Sequence, residues 1–398
     1  MNVKNRCRIC GSNKNEALFS FSKTFFWYGA NNSYFEKKIE PKYLDAIIFW
    51  CSQCGFMGLP VDDRLRNLLN CVYNSVQSVP GATPGKQSSY SVRLADDFFK
   101  TFWKLAPGWI PEKILEVGCQ GGYLLHKFKQ QGAAKAIGVE PGNVKPCVDG
   151  EGNSLDIRRG FFSREIVGED SFDLIFSLHV LEHIEQPNDF LSTAYSLLKP
   201  GGKLLLSVPN ELFSLEAGNV GMFLFQHLNY FTPSLLEAVL LANGFRVSGL
   251  ISSRQESLYV MAKKIDQKGV GSVDKSLREE TRKLLMEYKD KINKKLNYIG
   301  DISSQIGKKT LGFYGVAGSS NIFSWISQLW ERPCAVFDSD STTWGKAYGG
   351  IPVCVQSPRG LSSVSDIIVA PYRLQEEIFQ FLQKQNNGSL RIHKLYDF

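Results

Sequence analysis

The chain is 398 residues long, 43% hydrophobic and 21% charged, with a net charge of +7. That length bounds it to two or three domains, each able to build its own core, and the composition is that of a soluble globular protein. No apolar run approaches the roughly 18 residues of a membrane-spanning helix, the opening residues carry no apolar leader core, and the charge is too diffuse to argue for nucleic acid; a cytoplasmic protein that binds a small anionic molecule is the expectation.

Nine cysteines in such a chain do not point to disulfides. Four of them form a pattern: Cys7 and Cys10 in CRICG, Cys51 and Cys54 in CSQCG. Two such knuckles bring four thiolates together, as tetrahedral zinc requires, and a glycine after each pair permits the turn that folds backbone N–H groups onto sulfur. Four cysteine ligands leave no open position, so the zinc is expected to be structural, in a module spanning residues 1–71. The insert between the knuckles is aromatic (Phe25, Phe26, Trp27, Tyr28, Tyr34, Phe35) and is expected to pack on the next domain, the alternative being that it reaches over a ligand. Cys71, Cys119, Cys147, Cys334 and Cys354 read as scattered small buried residues.

Residues 72–92 are rich in Gly, Pro and Ser and read as a loop or lid, with Tyr73 and Tyr90 as candidate substrate contacts. From 93 to 264 strands and helices alternate, which argues for a doubly wound parallel sheet. Strands are expected near 112–117, 135–140, 156–159, 172–177 and 203–208, with helices at 93–105, 122–131 and 187–198. A helix near 233–243 then precedes two adjacent strands, FRVSGLI and SLYVMAK. The stretch ILEVGCQGGYLL reads as a strand, a glycine turn (Gly118, Gly121, Gly122) and a helix start. Glycine lets backbone N–H groups approach a ligand closely. About 20 residues on, Glu140 at the tip of the next strand is placed to hold the two hydroxyls of a ribose. A nucleoside-containing cofactor follows.

Three segments together resemble the class I S-adenosylmethionine-dependent methyltransferases: ILEVGCQGGYLL as the first motif, FDLIFSLHVLEHIEQP as the fourth and LLKPGGKLLLSVPN as the fifth. The likeness is closer to one branch, the nucleotide-sugar C-methyltransferases, through EVGCQGGYLL, GVEPGN and the Gly160-Phe161-Phe162 segment. That branch carries an N-terminal four-cysteine zinc module and a C-terminal nucleotide-fold domain, so the resemblance spans nearly the whole chain. It implies that Glu116 orients the turn or contacts the methionine part, that Gly118, Cys119, Gln120 and Gly122 approach the cofactor, and that Glu140 with Pro141 holds the ribose. It also implies that Phe161 and Phe162 bracket the adenine and that Ser177 to His179 face the methionine end and the acceptor.

Methyl transfer is an in-line attack on an electrophilic methyl group, and a carbon or hydroxyl acceptor needs a base to take its proton. Of the five histidines (His126, His179, His183, His227, His393), His227 in FLFQHLNYFT falls where an acceptor lies at the rim of the sheet. The resembled branch has a Y-x-E-H segment there, whose histidine is the base. Here the glutamate falls on Gln226 and the tyrosine on Leu224, and Gln226 carries no charge to raise the imidazole pKa. Gln226, Tyr230 and His183 are the expected substrate contacts. A second departure is Gln255, Glu256, Ser257, Leu258 and Tyr259, where the branch has a Gly-Gly-Ser-Leu-Arg strand.

Residues 265–309 read as a helical connector, with apolar positions at Leu277, Leu284, Leu285, Tyr288, Ile292, Leu296 and Ile299. Residues 310–398 read as a second, smaller Rossmann-like unit: LGFYGVAGSSNIF is again a strand, a glycine turn (Gly315, Gly318) and a helix, and Asp338 ends the next strand. It resembles the terminal domain of the same branch and is expected to help enclose the nucleotide sugar.

The reading is a zinc-bearing S-adenosylmethionine-dependent methyltransferase acting on a nucleotide-linked, 4-keto sugar, with His227 as base and C-methylation as outcome. The alternative on the same scaffold is methylation of a sugar hydroxyl. An RNA methyltransferase is disfavoured because Ser177-Leu178-His179-Val180 is not an Asn/Asp-Pro-Pro-aromatic motif and no basic, aromatic stripe accompanies it. A non-catalytic binding protein is disfavoured by the intact turn and Glu140. Neither a nucleic-acid nor a membrane partner is expected, and the oligomeric state is left open.

Overall fold

The computed structural model describes residues 6–26, 43–75, 89–143, 154–252, 257–266, 275–316, 319–326, 329, 331–348, 351–386 and 388–396. Trp27, Tyr28, Tyr34, Phe35, Cys147, Gln255, Glu256 and Gly318 lie outside them, as do the side chains of Phe25, Tyr73 and Tyr90.

The strands, in chain order, are β1 (Asn15–Phe25), β2 (Tyr43–Cys51), β3 (Met57–Gly58), β4 (Lys113–Val117), β5 (Lys135–Glu140), β6 (Asp156–Arg159), β7 (Phe172–Leu178), β8 (Leu198–Pro209), β9 (Asn229–Tyr230), β10 (Phe245–Ser252), β11 (Ser257–Lys264), β12 (Leu311–Tyr314), β13 (Cys334–Phe337), β14 (Val355–Gln356), β15 (Asp366–Val369) and β16 (Arg391–Lys394). They form three sheets. The central one has seven strands in the order β10-β11-β8-β7-β4-β5-β6. Strands β4 to β8 run parallel. The last strand, β11, slots antiparallel between β8 and β10, which is the expected closure of the sheet by an antiparallel hairpin. The near-continuous apolar runs of β4 and β7 follow from this position, since central parallel strands are covered on both faces. The helices Ser89–Leu105, Tyr123–Gln130, Pro187–Leu197 and Pro233–Ala242 lie close to the expected ranges. Strand β8 begins earlier than expected, because the Pro187–Leu197 helix passes into it without a loop.

The N-terminal sheet has the order β1-β2-β3-β9. Its fourth strand comes from residues 229–230, so the cysteine module is completed by a segment far along the chain. The apolar residues spaced along the helix Lys275–Gln305 are its inner face: Leu285, Tyr288, Ile292 and Ile299 are buried and its charges face outward. The Tyr288 hydroxyl donates to Asn219 O at 2.9 Å, and its ring stacks on Phe19. This helix therefore braces β1 against the segment that leads to His227.

The C-terminal sheet is entirely parallel, in the order β14-β13-β12-β15-β16. Gly315 turns at φ 88°, where a Cβ would meet Pro371 Cγ at 2.2 Å. Asp338 accepts from Val316 N–H at 3.1 Å and from Asp340 N–H at 2.9 Å. This unit packs on the residues before His227: Tyr372 Oη donates to Phe213 O, and Asn321 Nδ2 donates to Val220 O. From the cysteine side, Phe21 stacks on Trp325 at 4.1 Å, and Phe26, the one insert aromatic whose side chain is described, packs against Phe225. Among the described residues no helix is long and apolar enough to cross a membrane.

Candidate functional site

Strand order reverses between β4 and β7, so the loops after these two strands part and leave a crevice at their C-terminal ends. On one side sits the glycine turn. Gly118 adopts φ 74°, and a Cβ there would come within 2.5 Å of Val180 Cγ2; its N–H is held by Val139 O at 2.8 Å. Gln120 also takes a left-handed conformation, φ 47°. Its N–H donates to Glu140 Oε2 at 3.0 Å, and Gly142 N–H donates to Oε1 at 2.7 Å. Burial raises the Glu140 pKa and these two N–H groups oppose that rise. Gly122, at φ 85°, opens the following helix. Cys119 is buried, with Sγ filling the space above Gly138. Glu116 is buried too: it accepts from the Leu125 backbone, and its Oε2 has no partner among the described residues. Pro141 is half-buried beside Glu140. Phe162 packs on Phe190, while Phe161 is 62% exposed, so only Phe162 is tied to the core.

The other side gathers His179, His183 and His227. Ser177, at the end of β7, is fully buried and its hydroxyl meets no partner among the described residues. His179 is held at φ 52°, a conformation that costs a non-glycine residue on the order of 1 kcal/mol. Its N–H donates to Ser207 O, and its Nε2 lies 2.7 Å from Ser257 Oγ. Burial, with the charge of Arg373 second, lowers its pKa to about 3. His183 Nδ1 lies 2.8 Å from Gln226 O. A carbonyl only accepts, so Nδ1 carries the proton and Nε2 keeps its lone pair. The His183 and His227 rings meet edge to face, 5.0 Å apart. Burial holds the His227 pKa well below its ordinary value, and its Nδ1 has no partner among the described residues.

The sequence reading brought out these histidines but missed Glu182, Glu211 and Arg373. Glu182 is 1% exposed, and neither carboxylate oxygen meets a side-chain donor among the described residues; only its own backbone N–H bears on it. Its Oε1 lies 3.8 Å from His183 Nε2. Ligating atoms of Glu182, His183 and His227 all fall within 4.8 Å of one another. Glu211, buried on the next helix, has its pKa raised to about 7 by burial, against the pull of Arg373 and a bond to Ser214. Arg373 comes from the turn after β15 of the C-terminal unit and acts electrostatically on His179, Glu211 and His227. The one local signal was a carboxylate set between Leu181 and His183.

Two expected substrate contacts sit differently. Tyr230 is fully buried, its ring against Phe223 and its hydroxyl on Leu224 O. It holds the 224–230 segment rather than facing the crevice. Gln226 is placed by its backbone, whose carbonyl is the acceptor for His183.

The segment is fixed from behind by the cysteine module. The sulfurs of Cys7, Cys10, Cys51 and Cys54 lie within 4.8 Å of one another. The Cys7–Cys54 and Cys10–Cys51 separations are 3.6 Å, close to the roughly 3.8 Å edge of a tetrahedron with Zn–S bonds of about 2.3 Å. Gly11 and Gly55, at φ 71° and 72°, make the knuckle turns. The donor set fits zinc. Arg8, inside the first knuckle, donates to Leu228 O and to Asn229 Oδ1, each at 3.2 Å, and also to Leu59 O. Asn229 Nδ2 in turn donates to Leu181 O at 2.9 Å and Ile184 O at 2.7 Å, while Leu228 N–H donates to Glu182 O. The knuckle, the His183 loop and the His227 segment are thus tied by a continuous set of hydrogen bonds.

Residues 91–249 match the family model of a methyltransferase domain. The mitochondrial ubiquinone biosynthesis O-methyltransferase of Homo sapiens is 30% identical over 181 residues, which cover 40% of this chain and 48% of that protein. The ubiquinone biosynthesis O-methyltransferase of Pseudomonas fluorescens SBW25 is 27% identical over 203 residues, 44% of this chain and 85% of that one. Among solved structures, magnesium protoporphyrin IX methyltransferase from Synechocystis PCC 6803 with bound SAH aligns with a TM-score of 0.34 and 19% identity, over 45% of this chain and 89% of the other. The chain spans about half the length of the first curated relatives it matches.

Proposed function

We propose that this chain, which carries a class I methyltransferase domain over residues 91–249, is an S-adenosylmethionine-dependent methyltransferase acting on a nucleotide-linked sugar. The observation that carries the reading is the two-sided crevice. The Gln120–Glu140–Gly142 cradle lies on one side and three neutral imidazoles lie on the other. In this reading Glu140 takes the ribose hydroxyls, the Gly118–Gly122 turn meets the methionine part, and Phe162 borders the adenine.

The acceptor lies against His227. A 4-keto group acidifies the neighbouring C–H, His227 takes that proton, and the resulting enolate attacks the methyl carbon while the sulfonium leaves as a thioether. An imidazole kept neutral by burial has its lone pair available for this step. The C-terminal sheet brings Arg373 toward the same space and supplies positive charge for an anionic substrate. Zinc on Cys7, Cys10, Cys51 and Cys54 is structural.

A second reading, methylation of a sugar hydroxyl, is favoured by one observation: the two curated relatives named above are O-methyltransferases. The test is a panel of nucleotide sugars with and without a 4-keto group, incubated with the cofactor in deuterated water and read by mass spectrometry and carbon NMR. A new carbon-bound methyl on a 4-keto sugar is the expected result. A methoxy signal selects the hydroxyl reading, and no transfer to any nucleotide sugar overturns the substrate assignment.

A further inference from the structure

Glu182 poses a problem that neither the fold nor the proposed reaction resolves. Its carboxylate is buried, yet among the described residues no side chain donates to either oxygen, and its own backbone N–H is the one donor that bears on it. The group facing it is His183 Nε2, 3.8 Å away. That nitrogen is itself an acceptor, because the neutral ring's proton stays on Nδ1, which donates to Gln226 O. A nitrogen of His227 completes the cluster. Three groups able to hold a proton therefore converge on one small volume.

We propose that Glu182, His183 and His227 form one proton-accepting unit, in which His227 meets the acceptor and Glu182 is the positioning residue whose charge makes the unit basic. This rests on the reading that His227 takes the acceptor's proton, and it supplies what that reading lacks. Gln226 stands where a charged neighbour of His227 was expected, and an isolated buried imidazole surrounded by His179, His183 and Arg373 binds a proton weakly. With the carboxylate ionised, the unit carries one buried negative charge. Taking one proton converts it to a neutral imidazolium–carboxylate pair, a favourable change beside a carboxylate as buried as that of Glu182. The proton leaves the acceptor carbon or hydroxyl for His227. The electron pair left behind forms the new bond to the methyl group, and the carbon–sulfur bond breaks onto sulfur. The charged or titratable groups that face the unit are His179 from the loop after β7, Glu211 from the 211–217 helix and Arg373 from the turn after β15. Burial raises the Glu182 pKa, as a high proton affinity for the unit requires.

The experiment uses the full-length, zinc-loaded protein and Glu182→Gln, which keeps the shape and removes the charge. The kcat–pH profile is measured on the nucleotide sugar that the parent methylates. The expected result is a fall in kcat of about 10²–10³-fold, little change in either KM, and an acidic limb displaced to lower pH. His183→Asn, which separates Glu182 from His227 by a different change, is expected to move the limb the same way and keeps the test available should Glu182→Gln fail to fold. Histidine C–H resonances, titrated without substrate, are expected to move in Glu182→Gln relative to the parent. A limb and resonances that stay in place overturn the proposal. So does a stoichiometric divalent ion, beyond the cysteine-bound zinc, that is lost in Glu182→Gln, for then the lone pairs serve a metal. If the resonances move but no nucleotide sugar is methylated, the unit stands and the substrate reading falls.

Discussion

The guanidinium of Arg8 donates to the carbonyl of Leu228, 220 positions away in the chain and next to His227. Arg8 lies between Cys7 and Cys10, so the metal knuckle and the acceptor side of the crevice share one buried cation. Burial depresses the Arg8 pKa only to about 10, and it stays charged. Arg8→Ala leaves acceptors at Leu59, Leu228 and Asn229 without their donor. Charge-assisted hydrogen bonds contribute about 1.5–3 kcal/mol each when broken one at a time. The expected outcome is a loss of 2 kcal/mol or more in denaturant unfolding, on the order of these values, with kcat reduced and cofactor affinity retained.

Metal analysis of the purified protein is expected to give one zinc per chain. Cys54→Ser, or prolonged chelation, is expected to lower Tm and kcat together, because the sheet that the knuckles anchor includes β9. Loss of zinc with unchanged Tm would separate the module from the crevice.

Gly118→Ala is expected to weaken S-adenosylmethionine binding at least tenfold by calorimetry. The new Cβ meets Val180 Cγ2 at 2.5 Å, and φ 74° is strained for alanine, together on the order of 1–3 kcal/mol.

Glu140→Ala is expected to raise the cofactor Kd further, since it removes the ribose acceptor and frees two N–H groups, those of Gln120 and Gly142. Retained affinity in this variant would remove the ribose role of Glu140.

Glu211 gives a pH dependence of stability. Its folded pKa is raised to about 7 from an ordinary value of 4.5. Between these values the folded chain binds the proton and the unfolded chain does not, so unfolding free energy falls as pH rises from 4.5 to 7. The full effect is on the order of 3 kcal/mol. Glu211→Gln is expected to flatten that slope and to be the more stable protein at pH 8 in urea titrations. An unchanged slope would mean that Arg373 compensates the charge fully.

The central sheet was legible because it is written locally. Buried parallel strands show as apolar runs, and the turn at Gly118 shows as glycine where φ is positive. The cysteine pairs were legible for the same reason. Glu182 was not: its meaning depends on Gln226 and His227 arriving opposite it. Tyr230 lies only three residues from His227 in sequence, but pairing of β9 with β3 turns it into the interior. Arg373 and Arg8 were hidden by distance along the chain. No window of sequence around either one contains the groups it meets.

The pairing of β3 with β9 also has a consequence for how the chain emerges during synthesis. The first 58 residues include all four cysteines, yet their sheet lacks its last strand until residues 229–230 exist. At roughly 5–20 residues per second the ribosome takes on the order of ten seconds or more to reach them. A zinc ion captured early would hold the nascent knuckles together through that interval, so growth in zinc-depleted medium should reduce the yield of folded protein more than chelation after folding reduces its stability.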